Sequence, residues 1–392
     1  MSGRSRLSEG WRLSEGRRLS LSKPLIALVT GAAGQDGIYL SRLLADAGVE
    51  VLAGVRAEVS RLVAGAPRTS TTGPPTDAPR TSTTGPPTDA PRTSTTGPSA
   101  VEVRAERASK PRGRLAYLDH PRITVIDLDI TDTAAFAALL RARQVGEVYN
   151  LAAQSSVARS WDDPRTTAAV NADAVEGMLA AIRHIRPATR FFQASSVQAG
   201  TSSPYAAAKL AAEGAVADAR ARGLFAVAGR LGNHESPLRP PHFVSRRIAR
   251  AAAAGDVLDI GDLSPERDWG HARDHVAAMP LLLRLGSPID ADICTGVRRP
   301  LRDLAHAAYR AAGLPPEEYV VEVGAGPRPE DPASLGGSPD VLARATGWRA
   351  QTSIDGLMAE MVAVERRRLE SGVEDDASYG GFGSAGGFEA RR

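Results

Sequence analysis

The sequence predicts an α/β protein: a doubly wound parallel sheet followed by a smaller C-terminal lobe. Three observations carry this. Short apolar runs alternate with helical patterns as far as about Leu231, a glycine-spaced turn joins the first run to the first helix, and beyond Asn233 the alternation loses its regularity. A chain of 392 residues, 42% apolar and 24% charged, has ample length to bury such a core.

Leu25 to Thr30 reads as a buried strand, Gln35 to Gly48 as a helix and Val49 to Val55 as a second strand. The pattern then breaks at residues 61–114. There the 12-residue unit APRTSTTGPPTD occurs at Ala66, again at Ala78, and in truncated form from Ala90. Its Pro, Thr and Gly content cannot bury a core, so it is expected to be a flexible insertion, too short in period for a solenoid. The alternation resumes with the strand Ile123 to Leu128, the helix Thr133 to Arg143 and the strand Glu147 to Leu151. A long helix over Arg165 to Ile185, the strand Arg190 to Ala194, the helix Pro204 to Arg222 and the strand Leu224 to Leu231 complete it. The expected organisation is a basic arm (1–23), a cofactor-binding domain (24–232) carrying the insertion (61–114), a substrate lobe (233–370) and a Gly-rich tail (371–392), with arm and tail disordered.

Charge follows the same division. The arm carries a net +4 and the insertion +5, so the net +3 of the whole chain leaves −6 on the rest. That argues against a nucleic-acid surface on the folded body. The single Cys excludes a disulfide framework and a Cys-rich zinc site. It points to a reducing, cytoplasmic setting, and no apolar stretch reaches the length of a membrane span. His271 and His275 stand at helical spacing but lack a third ligand nearby, so no metal is expected. Cys294, Trp161, Trp269 and Trp348 read as packing residues.

The turn after the first strand is Gly31-Ala32-Ala33-Gly34-Gln35-Asp36-Gly37. Glycines there let backbone amides approach a pyrophosphate, and the helix N-terminus adds its dipole, so a Rossmann-like dinucleotide site is expected. Its GxxGxxG spacing points to the short-chain dehydrogenase/reductase branch. Arg56 closes the second strand, where it suits a 2′-phosphate and selects NADP, although Glu58 lies close by. Asp129 and Ile130 end the third strand where an adenine is met. Leu151, Ala152, Ala153, Gln154 and Ser155 end the fourth, where small residues let a cofactor lie against the sheet edge.

Tyr205 and Lys209 open the helix after the next strand, four residues apart and so on one face. An ammonium so placed can depress the phenol pKa and hold the nicotinamide ribose, which suits Tyr205 to proton transfer at a carbinol. The chain has only three lysines, at 23, 110 and 209, so Lys209 is the only one outside the two basic segments. Ser195 or Ser196 can supply a hydroxyl that orients a substrate oxygen.

TGAAGQDG, LAAQS, FFQAS, SPYAAAK, GNHESP, RDWGHARD, CTGV and ATGW together resemble the GDP-mannose 4,6-dehydratase family, extended short-chain dehydrogenase/reductases. The resemblance covers about Pro24 to Arg56 and Ile123 to Glu370. It implies internal hydride transfer through NADP on GDP-mannose, in a homo-oligomer (dimer or tetramer). It implies Ser196 in the place of a catalytic threonine, Thr166, His234 and Arg239 as cofactor contacts, and Asn233, Arg267, Arg302 and Arg328 as contacts to the GDP-sugar. Gln198 stands where the family has a glutamate, its base at C5 and acid for the departing hydroxyl, and the following loop is shortened between Gly200 and Thr201. An amide cannot exchange that proton, which leaves open an epimerase or 4-keto reductase on a GDP-sugar, or a catalytically weakened binding protein.

Overall fold

The computed structural model describes residues 25–56, 113–324 and 332–382. The remainder, including the expected arm, most of the insertion and residues 383–392 of the tail, lies outside the described residues, as do Glu58 and Arg328. In chain order the first elements are β1 (Ile26–Thr30), α1 (Gln35–Asp46), β2 (Glu50–Val55), β3 (Ile123–Asp127), α2 (Thr133–Ala142) and β4 (Val145–Asn150). They continue with α3 (Val157–Asp162), α4 (Pro164–Ala168), α5 (Ala174–Ile185), β5 (Arg190–Ser196), α6 (Pro204–Ala221) and β6 (Ala226–Leu231). The later part holds β7 (Asn233–Glu235), α7 (Val244–Ala254), β8 (Leu258–Ile260), β9 (Glu266–His271), α8 (Ala272–Leu283) and β10 (Ala291–Ile293). It ends with β11 (Arg298–Pro300), α9 (Leu301–Ala312), α10 (Pro316–Tyr319), β12 (Val320–Glu322), β13 (Ser334–Leu335), α11 (Asp340–Thr346) and α12 (Ile354–Ser371).

Seven strands form one parallel sheet in the order β10-β6-β5-β4-β1-β2-β3. Strand order reverses between β1 and β4, which opens a crevice at their carboxyl ends, where α/β proteins bind ligands. Both faces are buried, because successive side chains point oppositely along a strand. Phe191 and Phe192 of β5 therefore enter separate cores. Phe192 packs with α1 and α8 residues such as Ile38, Val276 and Met279; Phe191 packs with Phe136, Met178 and Val216 of α2, α5 and α6.

A third core joins α7, α9 and α12 around Ile248, Leu304, Tyr309, Met358 and Met361. Beside it β9 pairs with β11, β13 and β7, and β8 pairs with β12. Not all of the chain beyond Asn233 builds this lobe: β10 extends the main sheet beside β6, and α8 covers one face of it. A three-residue strand carries too little pattern to be read from sequence.

The structure corrects four readings. Gly113 and Arg114, assigned to the insertion, open the 3-10 turn Gly113–Leu118, whose Tyr117 and Leu118 are buried. The tail does not begin at Ser371: Tyr379 is buried in the 3-10 turn Ala377–Gly380, and Phe382 lies 5.4 Å from the Tyr39 ring. The helix expected over Arg165 to Ile185 is interrupted by a π turn at Ala169–Asp173, whose Asn171 binds the backbone of Gln154. Trp161 is 51% exposed and does not anchor packing, whereas Trp269 and Trp348 are buried.

Candidate active site

The cofactor turn leaves β1 through Thr30, whose hydroxyl donates to Asn150 Oδ1 at 2.6 Å and accepts from the amides of Leu151 and Ala152. This ties the ends of β1 and β4 together across the crevice. Gly31 has φ +64, and a Cβ there would stand 2.8 Å from the Ala152 amide nitrogen. A Cβ on Gly37 would meet Gly31 O at 2.3 Å. Both positions therefore require glycine. Gly34 precedes α1 without a side-chain cap, so the first-turn amides of α1 face the crevice as donors suited to a pyrophosphate.

Gln35 and Asp36 fasten the turn to β7 and the residue that follows it. Gln35 Nε2 donates to His234 O at 3.1 Å, and its Oε1 accepts from Ser236. Asp36 pairs with His234 Nε2 at 2.9 Å, while His234 Nδ1 meets Gly232 O at 2.7 Å. Burial alone would raise the Asp36 pKa, but the charge and hydrogen bond of His234, with Arg239 and Gln35, bring it to about 2. Burial works against protonation of His234, yet Asp36 outweighs it and raises its pKa. His275 stacks on His234 with centroids 4.9 Å apart. Burial and the His234 charge lower its pKa to about 3, so it stays neutral beside the ion pair.

Arg114, absent from the sequence reading of the site, is the second support of the turn. Its Nε donates to Ala33 O at 2.7 Å and its Nη1 to Leu238 O at 3.1 Å, with Asp375 3.8 Å away. Position next to the repeat hid it. Arg56 is exposed at the end of β2, and the 3-10 turn that carries Arg114 packs on α1. On the other strand ends, Ile130 is buried, whereas the Asp129 carboxylate is spent on the amide and hydroxyl of Thr131. Leu151, Ala152 and Ala153 are half-buried along the crevice and Ser155 is exposed. Gln154 is engaged by Ser156 and Thr167. Thr166 is exposed on α4, and its neighbour Thr167 takes the inward position.

The chemistry-bearing side chains converge at the carboxyl end of β5. Ser203 caps α6 by accepting from the Ala206 amide, and Pro204 occupies its first turn, so Tyr205 and Lys209 are presented on the buried face. Lys209 Nζ donates to Ala194 O at 2.8 Å and lies 5.7 Å from the Tyr205 ring centroid. Burial lowers the Lys209 pKa to about 8, against Asp36 and Glu213, which raise it. The expected depression of the Tyr205 phenol is not reached: burial pushes it up, and a hydrogen bond with Ser196 and the Arg239 charge only partly offset this. Ser195 and Ser196 are distinguished by the structure. Ser195 Oγ is taken by Glu213 at 2.5 Å, which leaves Ser196 as the hydroxyl beside Tyr205.

Gln198 sits in the turn after β5, its backbone N–H donating to Ser196 Oγ at 3.1 Å. Among the described residues, three carboxylates lie around this end, and each is occupied. Asp36 holds His234, Glu213 holds Ser195 and Arg230, and Glu235 accepts from Ser245 at 2.6 Å and pairs with Arg239 at 2.9 Å.

In the lobe, Asn233 begins β7 opposite Trp269. Arg267 is buried on β9 with Nη1 donating to Glu266 O and Pro332 O, while Arg302 at the start of α9 pairs with Glu322 at 2.6 Å. His271 and His275 serve packing: His271 caps α8 and lies 3.3 Å from Glu360, and among the described residues no His, Cys, Asp or Glu group could hold a metal ion. Cys294 is buried, which pushes its thiol up to about 12.

The sequence matches the NAD dependent epimerase/dehydratase family over residues 90–293. A GDP-mannose 4,6-dehydratase of Sinorhizobium fredii is 32% identical over 377 residues, covering 86% of this chain and 95% of the relative. GDP-mannose 4,6 dehydratase 2 of Arabidopsis thaliana is 31% identical, covering 86% of each chain. Among solved structures, the dTDP-glucose 4,6-dehydratase DesIV of Streptomyces venezuelae shares the fold with a TM-score of 0.66 at 21% identity, over 88% of this chain and 98% of that one. RMD of Pseudomonas aeruginosa, complexed with NADPH, gives 0.62 at 19% identity, over 88% and 99%. With the glycine turn, the Ser196, Tyr205 and Lys209 cluster and these relatives together, the chain belongs to the GDP-mannose 4,6-dehydratase family, within the NAD dependent epimerase/dehydratase family.

Proposed function

We propose that the chain is an NADP-dependent GDP-mannose 4,6-dehydratase that converts GDP-mannose to GDP-4-keto-6-deoxymannose and water. The observation that carries this is the convergence of Ser196, Tyr205 and Lys209 beside the cofactor turn, in a chain whose relatives of that name span most of its length. A nicotinamide cofactor held at this turn would supply reversible hydride transfer, away from C4 and on to C6. The Gly31 to Gly37 turn and α1 amides suit its pyrophosphate and Arg56 its 2′-phosphate.

The chain's own residues move protons. Tyr205 Oη takes the C4 hydroxyl proton as C4 becomes a ketone, and the Ser196 hydroxyl hydrogen-bonds that oxygen. The Lys209 ammonium stabilises the phenolate that this step requires. Once C4 is a ketone, the C5 proton is α to a carbonyl, so loss of that proton and of the C6 hydroxyl is chemically activated. Gln198 cannot take or give it, and among the described residues the carboxylates nearby, Asp36, Glu213 and Glu235, are paired. Elimination is therefore the slow step, slower by about 10²- to 10⁴-fold than with a placed carboxylate. Asn233, Arg267, Arg302 and Arg328 are assigned to the GDP-sugar, with arginine forks suited to its diphosphate, and His234 and Arg239 to the cofactor side.

Gln198 also favours one second reading, a GDP-sugar epimerase or 4-keto reductase, because redox at C4 needs Tyr205, Lys209 and Ser196 alone. Incubation with GDP-mannose and NADP⁺ followed by mass spectrometry separates them: loss of one water marks dehydration, and unchanged mass with altered stereochemistry marks epimerisation. We further assign a homo-oligomer in the cytosol. Leu210 of α6 and Trp161 of α3, 52% and 51% exposed on adjoining helices, support a self-contact, and among the described residues no helix is long and apolar enough to cross a membrane.

A further inference from the structure

A glutamate that the proposed mechanism does not use is buried one helical turn beyond Lys209. Glu213 is 8% exposed on α6, and a carboxylate taken from water is costly unless its oxygens are satisfied. Its partners come from two strands. Ser195 of β5 donates to Oε1 at 2.5 Å, and Arg230 of β6 engages both oxygens, with Nη2 to Oε2 at 2.6 Å and Nε to Oε2 at 2.9 Å and to Oε1 at 3.1 Å. Ser195 and Arg230 are directly paired across the sheet, so helix and strands are clasped at a single point. One turn earlier, Lys209 binds the carbonyl of Ala194, the residue before Ser195. Two successive turns of α6 are thus pinned to two successive residues of β5, and the next residue along is Ser196.

From this geometry we infer that Glu213 is a positioning residue of the active site, which sets α6 against the end of β5 and keeps the Lys209 ammonium charged in its buried seat. The inference rests on the reading of Tyr205 and Lys209 as the proton-transfer couple. Arg230 does not cancel the Glu213 charge, because it also faces Asp292 at 3.8 Å and is therefore shared between two carboxylates. The other groups around Lys209 are Asp36 on α1 with its partner His234 on β7, and Tyr205 on α6 itself. Burial pulls the ammonium toward neutrality, and Asp36 and Glu213 act against it.

The composition supplies a direct test. With only three lysines in the chain, 13Cε-lysine labelling of the full-length protein gives three signals, and Lys209→Arg identifies the relevant one. In the wild type its titration midpoint is expected at about 8. Glu213→Gln keeps a polar partner for Ser195 and Arg230 while removing the charge, and should lower the midpoint by about half a pH unit or more. Arg230→Met removes a cation and frees the full charge of Glu213, so it should raise the midpoint. An unmoved midpoint in Glu213→Gln overturns the inference. Should that variant fail to fold, Arg230→Met decides alone, and a midpoint unchanged or lowered overturns it. No substrate enters the titration, so shifted midpoints without dehydration would count against the proposed activity and not against Glu213.

Discussion

The two sides of the crevice at the end of β5 differ in completeness. On the α6 side, Tyr205, Lys209 and Ser196 are assembled, capped by Ser203 and braced from behind by Glu213 and Arg230. On the side of the following turn, Gln198 offers only an amide side chain, and the carboxylates described at this end of the sheet are committed to His234, Arg239 and Arg230. Oxidation at C4 and elimination across C5 and C6 make different demands, and in the proposed mechanism the first is supplied with side chains more fully than the second.

Substitutions can separate the two. Tyr205→Phe should have the largest effect, lowering turnover by about 10²- to 10⁴-fold while leaving cofactor affinity nearly unchanged, read as kcat against the cofactor dissociation constant. Equal loss of both would mean that Tyr205 packs the site and does not act in it. Gln198→Glu should raise dehydration, up to about the same factor, without speeding C4 oxidation, as followed by product mass and by cofactor absorbance in single turnover. No change there would move the elimination base elsewhere. Gly31→Ala tests the part both chemistries share: its strained φ and its approach to Ala152 predict a cost of about 1–3 kcal/mol together with weakened cofactor binding, seen in Tm with and without NADP⁺.

The smallest expected effect concerns the Asp36 and His234 pair. Because the folded Asp36 pKa lies near 2 against 3.8 for the free side chain, its contribution of about 2 kcal/mol is full above pH 4 and lost as pH falls from about 4 to about 2. His234 has a raised pKa, so its share is full below about 6.5 and is lost as pH rises through the folded value. Asp36→Asn should flatten the acid limb of urea stability measured across that range, and an unchanged limb would remove the pair from the account.

Much of the redox side was legible because its signals are local. The strand, glycine turn and helix at residues 25–46 follow one another without interruption, and Tyr205 and Lys209 share a helix face by spacing alone. What escaped depends on distant segments. Arg114 reaches Ala33 and Leu238 from beside a low-complexity repeat, β10 joins the sheet from the lobe's part of the chain, and the turn around Tyr379 packs although its composition resembles a tail. Glu213 lay four residues beyond Lys209 in plain view, but nothing local shows that Ser195 and Arg230 come to meet it.

Isotope transfer tests the central claim most directly. GDP-mannose carrying deuterium at C4, incubated with a trace of unlabelled NADP⁺, should yield a product lighter by one water with the deuterium at C6. Deuterium that remains at C4, or that accumulates in the free cofactor, would contradict an internal hydride transfer coupled to dehydration.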